Sequence, residues 1–235
     1  MPASSAPGDQ NGRTAAEHEA IWQRFLQEPS AQLSSGRLSA PPEASVSLVF
    51  QVSISDGALR RALQTLGAEL ATTGAFAPFP PGYWHATIVP PAFLADEPSR
   101  GSLLLPRSFA QEAMTAAREV LSGYPPFDMH VRGVNAFQDV VVAVLYESGH
   151  FADIQRLLRE RLPQLPERYL DGYEPLPHIS LGVYQDLARL PQLTDALAAN
   201  REREIGRMTA RGIEMLIIPL QDGRMGEPER HPVPF

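Results

Sequence analysis

The sequence predicts an α+β fold: bilobal, two pseudo-twofold-related lobes, each with a mainly antiparallel sheet and helices on its outer face, and a cleft between them. Three observations predict it. Short alternating apolar runs are interleaved with amphipathic helical patterns from Val46 to Leu220. The order strand, helix, strand with histidine, helix occurs once from Val46 and again from Val140. The spacing nearly repeats, since His85 stands 39 positions after Val46 and His178 stands 38 after Val140.

Taken in order, residues 1–44 read as a flexible N-terminal segment with a possible docking helix. Met1 to Arg13 is rich in Pro, Ser, Ala and Gly. Ala15 to Gln27 suits a helix with Ile21, Trp22, Phe25 and Leu26 on one side, and Ser34 to Glu43 is linker-like. The body spans residues 45–220. Val46 to Ile54 alternates as a strand, with Val46, Leu48, Phe50, Val52 and Ile54 on one face. Asp56 is a good N-cap for a helix striped by Leu59, Leu63, Leu66 and Leu70. A Gly/Pro-rich stretch leads to a short strand around His85 that ends at Pro90-Pro91, followed by a loop from Ala92 to Pro106. A helix is expected from about Ser108 to Leu121. Asp128–Val134 and Val140–Tyr146 then read as a hairpin. A helix near Phe151–Leu162, with Ile154, Leu157, Leu158 and Leu162 inward, is followed by the loop Pro163 to Pro177 and the second histidine strand, Leu176–Tyr184. A helix near Pro191–Asn200 and a strand near Arg211–Leu220 complete the body, and residues 221–235 read as a polar C-terminal tail.

Composition excludes several classes. The chain has 235 residues and a formal charge of -7, which argues against long duplex nucleic acid as a partner. It has no cysteine, so disulfides, thiolate zinc sites and cysteine nucleophiles are excluded. All 20 basic residues are arginine, which we read as a coding bias. No apolar stretch approaches the roughly 20 residues that span a bilayer, and no signal peptide is visible. A cytoplasmic monomer without cofactor or membrane partner is the expectation.

Two short motifs carry the chemistry. His85-Ala86-Thr87 and His178-Ile179-Ser180 each place an imidazole and a hydroxyl on one face of an apolar strand. The plain alternative is two core histidines, each satisfied by a neighbouring hydroxyl. A metal hydrolase would need further ligands, and no His-Glu-x-x-His pattern or acidic cluster accompanies the motifs. No Gly-rich Lys-Ser/Thr loop is present, so a nucleoside-triphosphate enzyme is not indicated.

In these paired motifs the chain resembles the 2H phosphoesterase superfamily, which includes RNA 2',3'-cyclic phosphodiesterases, also called 2'-5' RNA ligases. The resemblance extends to Pro126–Phe137, similar to the family's segment ending in Gly-x-x-Ala-Phe. It implies a phosphodiesterase acting on a nucleotide or short RNA end. His85 and His178 would share the roles of base and acid, and Thr87 and Ser180 would bind the phosphate. Alternation adds candidates for substrate binding. Tyr83 shares parity with His85, whereas Trp84 points to the core. His130 and Arg132 lie on the polar face of their strand, with Arg132 a cation for phosphate. Tyr184 lies on the His178 face and would stack on a base. His18, His150 and His231 have no such context and read as surface residues. The alternative from another class is a binding protein for nucleotides or RNA ends that does not turn over.

Overall fold

In a computed structural model, residues 7–28, 31–33, 40–99, 103–170, 175–222 and 224–235 are described. Helix α1 spans Pro7–Gln27, longer than the Ala15–Gln27 expected. The first six residues, 34–39 of the linker, and parts of the loops at 100–102 and 171–174 lie outside the described residues.

Strand β1 (Val46–Ser53) leads to α2 (Gly57–Ala71), where the Asp56 carboxylate caps the helix by accepting from the Leu59 amide at 2.8 Å. All four expected leucines of α2 are buried. The chain continues through β2 (Phe76–Pro78), β3 (His85–Ala95), β4 (Leu105–Pro106), α3 (Phe109–Leu121), β5 (Phe127–Ala136), β6 (Val140–Tyr146) and α4 (His150–Arg161). It closes with β7 (His178–Tyr184), α5 (Leu190–Ala199), β8 (Glu204–Ala210), β9 (Gly212–Gln221), β10 (Arg224–Met225) and β11 (Glu229–Pro234). The fold is α+β, as expected.

One sheet has the order β10-β9-β1-β3-β4, with β11 on β9; the other has the order β2-β7-β6-β5-β8. All pairs are antiparallel except β3 with β4. Connectivity repeats between them. Each histidine strand pairs with the first strand of its own unit, β3 with β1 and β7 with β6. Two later strands cross over: β5, after α3, joins β6, and β9, which follows β8, joins β1. Each sheet therefore owes one central ladder to the other half of the chain.

Two expectations change here. The His85 strand does not stop at Pro90-Pro91. Phe50 pairs with Val89 and Leu48 with Ala92, so the prolines occupy a bulge opposite Val49, where no ladder donor is needed. Residues 221–235 are not merely a tail: β11 pairs along β9 and buries Val233 completely. Its prolines are tolerated because β11 is an outer strand. Strands β2 and β8 carried no sequence expectation.

Membership of the apolar core follows strand parity. In the β1 sheet, Leu48, Phe50, Val52, Ile88 and Met215 join one core with α3 and α4; in the other, Met129, Val131, Leu145, Ile179 and Leu181 join it with α2 and α5. The opposite faces carry the histidines, and β3 and β7 come into contact where the two sheets meet.

Candidate active site

Cross-strand pairing fixes which side chains share the histidine faces. On the first sheet His85 stands opposite Ser53, and Thr87 opposite Gln51, which in turn stands opposite Glu214 of β9. On the second, His178 stands opposite Val144, and Ser180 opposite Val142, which stands opposite Asn135 of β5. Two rows of three thus begin at the two motif hydroxyls.

The imidazoles are held in the same way. His85 Nδ1 donates to the Tyr83 carbonyl at 2.8 Å, and His178 Nδ1 donates to the Leu176 carbonyl at 2.7 Å. In each case the acceptor lies two residues back along the chain. A carbonyl only accepts, so each Nδ1 carries its hydrogen and each Nε2 is left to exchange a proton. Burial is the main force on both rings. It pushes His178 down to about 4, against the opposing bond from Leu176 and with help from the nearby His85. It also lowers His85, where the Tyr83 carbonyl opposes, Arg230 adds to the fall and Glu214 resists it. The effect of His85 on His178 ties the two rings into one electrostatic site. Among the described residues the hydroxyls of Thr87 and Ser180 have no protein partner, and no group of three or more His, Cys, Asp or Glu stands ready to hold a metal.

The His85 side carries polar residues that were not singled out from the sequence. Ser53 donates to Glu214 at 2.6 Å, Gln51 donates to Ser53 at 3.2 Å, and Arg230 of β11 donates to Glu214 at 3.0 Å. The signal lay in the odd positions of β1, where Ser47, Gln51 and Ser53 break an otherwise apolar strand. Arg230 had no signal, because its segment read as tail.

The remaining candidates divide. Tyr83 is exposed beside His85, its ring 6.2 Å from the imidazole and 4.9 Å from Phe79, with its hydroxyl 4.0 Å from the Met225 sulfur. Trp84 is buried. His130 lies on the His178 face but two strands away, opposite Tyr146, and Nε2 bonds Glu204 at 2.6 Å. Arg132, exposed two residues on, donates to Glu202 at 2.7 Å. Both side chains are thus engaged by carboxylates of β8 and its approach, away from the histidine pair.

Tyr184 is corrected. Val142 pairs with Ser180 but Val141 pairs with Gly182, so β7 carries an extra residue there and its parity inverts. Tyr184 turns to the core, where its hydroxyl donates to the Phe137 carbonyl at 2.8 Å. A Cβ on Gly182 would collide with the Ala77 carbonyl and the Phe76 ring, which is why glycine sits at this bulge.

The reading of His18 and His150 as surface residues is also corrected. His150 stacks on Phe127 at 4.5 Å and bonds the Tyr124 hydroxyl at 3.0 Å. His18 is 2 % exposed, and burial lowers it to about 4. His231 is partly buried on β11. The buried stripe of α1 is Thr14, His18, Trp22 and Phe25; Ile21 is only partly covered and Leu26 is exposed.

Comparison with known proteins agrees with this fold. TT0787 of Thermus thermophilus is similar at 17% identity and a TM-score of 0.53, over 80% of this chain and 94% of that one. E. coli LigT complexed with ATP is similar at 16% and 0.50, over 81% and 99%. Kluyveromyces marxianus Usb1 with uridine monophosphate is similar at 13% and 0.50, over 83% and 100%. These likenesses are of fold. Among curated proteins, none matches in sequence. The profile of the 2'-5' RNA ligase superfamily matches residues 84–218, more than half of the 235 residues and both histidine strands, and on that match the chain belongs to the 2'-5' RNA ligase superfamily.

Proposed function

We propose that the chain is a metal-independent phosphodiesterase that hydrolyses 2',3'-cyclic or 2'-5'-linked phosphodiesters of nucleotides or short RNA ends. The observation that carries the reading is the matched pair of imidazoles, each with Nδ1–H tied to a carbonyl and Nε2 unclaimed among the described residues. Water attacks phosphorus while one Nε2 removes its proton, and the other Nε2–H protonates the departing ribose oxygen as its bond to phosphorus breaks. The pair ends with base and acid exchanged, and solvent resets it. Which ring starts as base depends on whether the 2' or the 3' oxygen leaves. Thr87 and Ser180, whose hydroxyls have no partner among the described residues, donate to the non-bridging oxygens as charge builds. Burial keeps both rings neutral near pH 7. An entering anion favours the imidazolium, so the ring that acts as acid takes up its proton from solvent as substrate binds. Tyr83 and Phe79 offer a wall against which a base stacks. The nucleotides held by LigT and Usb1 support the substrate class.

The test is a panel of 2',3'-cyclic nucleotides, 2'-5' dinucleotides and cyclic-phosphate-ended RNA, assayed with EDTA present. His85→Ala and His178→Ala should each lower kcat by roughly 10²- to 10⁴-fold. Loss of activity with EDTA, or full activity in both variants, sinks the mechanism. Saturable binding of nucleotides without turnover replaces it with a non-catalytic binding protein on the same fold.

A further inference from the structure

We infer that the N-terminal helix α1 is a wall of the active site and that its buried His18 is a positioning residue for His178. The helix lies outside the segment that the family profile matches, yet it packs on the face of the sheet that presents His178 and Ser180. Asn135 closes the row that begins at Ser180, and its amide Nδ2 donates to the His18 carbonyl at 2.8 Å and to His18 Nδ1 at 3.2 Å. Val142 and Val144, which stand on this same face opposite Ser180 and His178, are buried too. An open cleft wall would leave such valines to water; here the helix covers them.

His18 holds His178 from two directions. With Nδ1 accepting from Asn135, Nε2 carries the hydrogen and donates to the Pro177 carbonyl at 3.3 Å, a carbonyl that also accepts from the Leu145 amide. That carbonyl belongs to the peptide bond leading into His178, next to the Leu176 carbonyl that fixes the His178 ring. On its other side the Phe137 ring lies between the two imidazoles. It stacks on His18 at 6.0 Å and 19°, and meets His178 at 5.0 Å and 64°. Backbone and ring of His178 are thus both backed by α1. The helix is anchored by Trp22 and Phe25 in the core and by Arg201, which lies over the Trp22 ring at 5.0 Å and bonds Glu19 at 2.7 Å. The charged and titratable groups acting on His18 are His178 and Arg201, and both disfavour its protonation.

The consequence for turnover rests on the phosphodiesterase reading; the positioning itself does not. The experiment compares the full chain with His18→Ala and His18→Gln in two assays, steady-state hydrolysis of a 2',3'-cyclic nucleotide and NMR titration of the His178 imidazole. His18→Ala should lower kcat by roughly 10- to 100-fold with KM nearly unchanged. It should also raise the His178 midpoint from about 4 toward 6.5, because water then reaches the ring. Glutamine keeps a donor for the Pro177 carbonyl, so His18→Gln should stay near the native protein in both. Should the alanine variant not fold, His18→Leu fills the volume without a donor and takes its place. An unmoved His178 midpoint and unchanged kcat overturn the proposal, as does a glutamine variant as damaged as alanine. If the native chain turns over no substrate, the phosphodiesterase reading fails, and the titration still decides whether His18 positions His178.

Discussion

Lowering the pH from 7 to 4.5 presses protons onto imidazoles that the fold holds neutral. His18 and His178 are both pushed by burial from 6.5 to about 4. The unfolded chain takes up those protons below 6.5 and the folded chain does not until about 4. The stabilisation is therefore complete above 6.5 and is lost as the pH falls through 4. A fall of that size corresponds to roughly 3 kcal/mol for each ring, with a limiting slope of about 1.4 kcal/mol per pH unit per ring. His85 and His150, also lowered by burial, act in the same direction. Glu147 acts against them: burial raises its carboxyl, so its contribution is present at low pH and is lost as pH rises. Against a total stability of about 5–15 kcal/mol, the two deeply buried rings account for a large share of the loss as the pH falls from 6.5 toward 4. Urea unfolding at intervals from pH 7.5 to 4.5 measures the slope, and His18→Gln should remove one proton's share of it. A stability that is flat between pH 6.5 and 5, or a glutamine variant with the native slope, would refute the argument.

Two further outcomes follow from the geometry. Thr87→Val and Ser180→Ala should each lower kcat by roughly 10²- to 10³-fold. Neither hydroxyl holds the fold together, so urea midpoints should stay within about 0.5 kcal/mol of native; a large stability loss would mean a structural role instead. Tyr184→Phe leaves the Phe137 carbonyl without its donor at 2.8 Å and should cost about 1–3 kcal/mol of stability. Its KM should not change, and a raised KM at native stability would put the ring against substrate after all.

Much of this was legible because alternation and helical spacing are local. The leucine stripe of α2, the Asp56 cap, the β5–β6 hairpin and the two histidine strands each announce themselves within a dozen residues. What escaped depends on a partner strand or on a distant segment. The bulge that turns Tyr184 inward is a property of the β6–β7 ladder, invisible in β7 alone. His18 read as a surface residue because its satisfying groups, Asn135 and Pro177, lie more than a hundred positions away. Segment 229–234 read as tail because two prolines in six residues argue against a strand, an argument that holds for central strands and not for outer ones. Arg230, beside Glu214 and His85, was lost with it.

The exchange of strands between the two halves also bears on how the chain is made. Strand β1 emerges from the ribosome early and finds β3 soon after, but its other neighbour is β9, with Val46 opposite Pro219. Until nearly the whole chain is available, the His85 sheet is little more than the β1–β3 pair with one bare apolar edge, marginal by itself and open to wrong pairing. Closing that ladder draws together segments at opposite ends of the sequence, a slow kind of contact to form. The His178 sheet is under no such delay at its centre, since β5, β6 and β7 follow one another directly. The half with the second histidine is therefore the natural template, and the half with the first is completed last, by a strand that contains neither motif. Stopping the chain before Gly212 would spare both histidines and still leave His85 without a finished sheet to stand on.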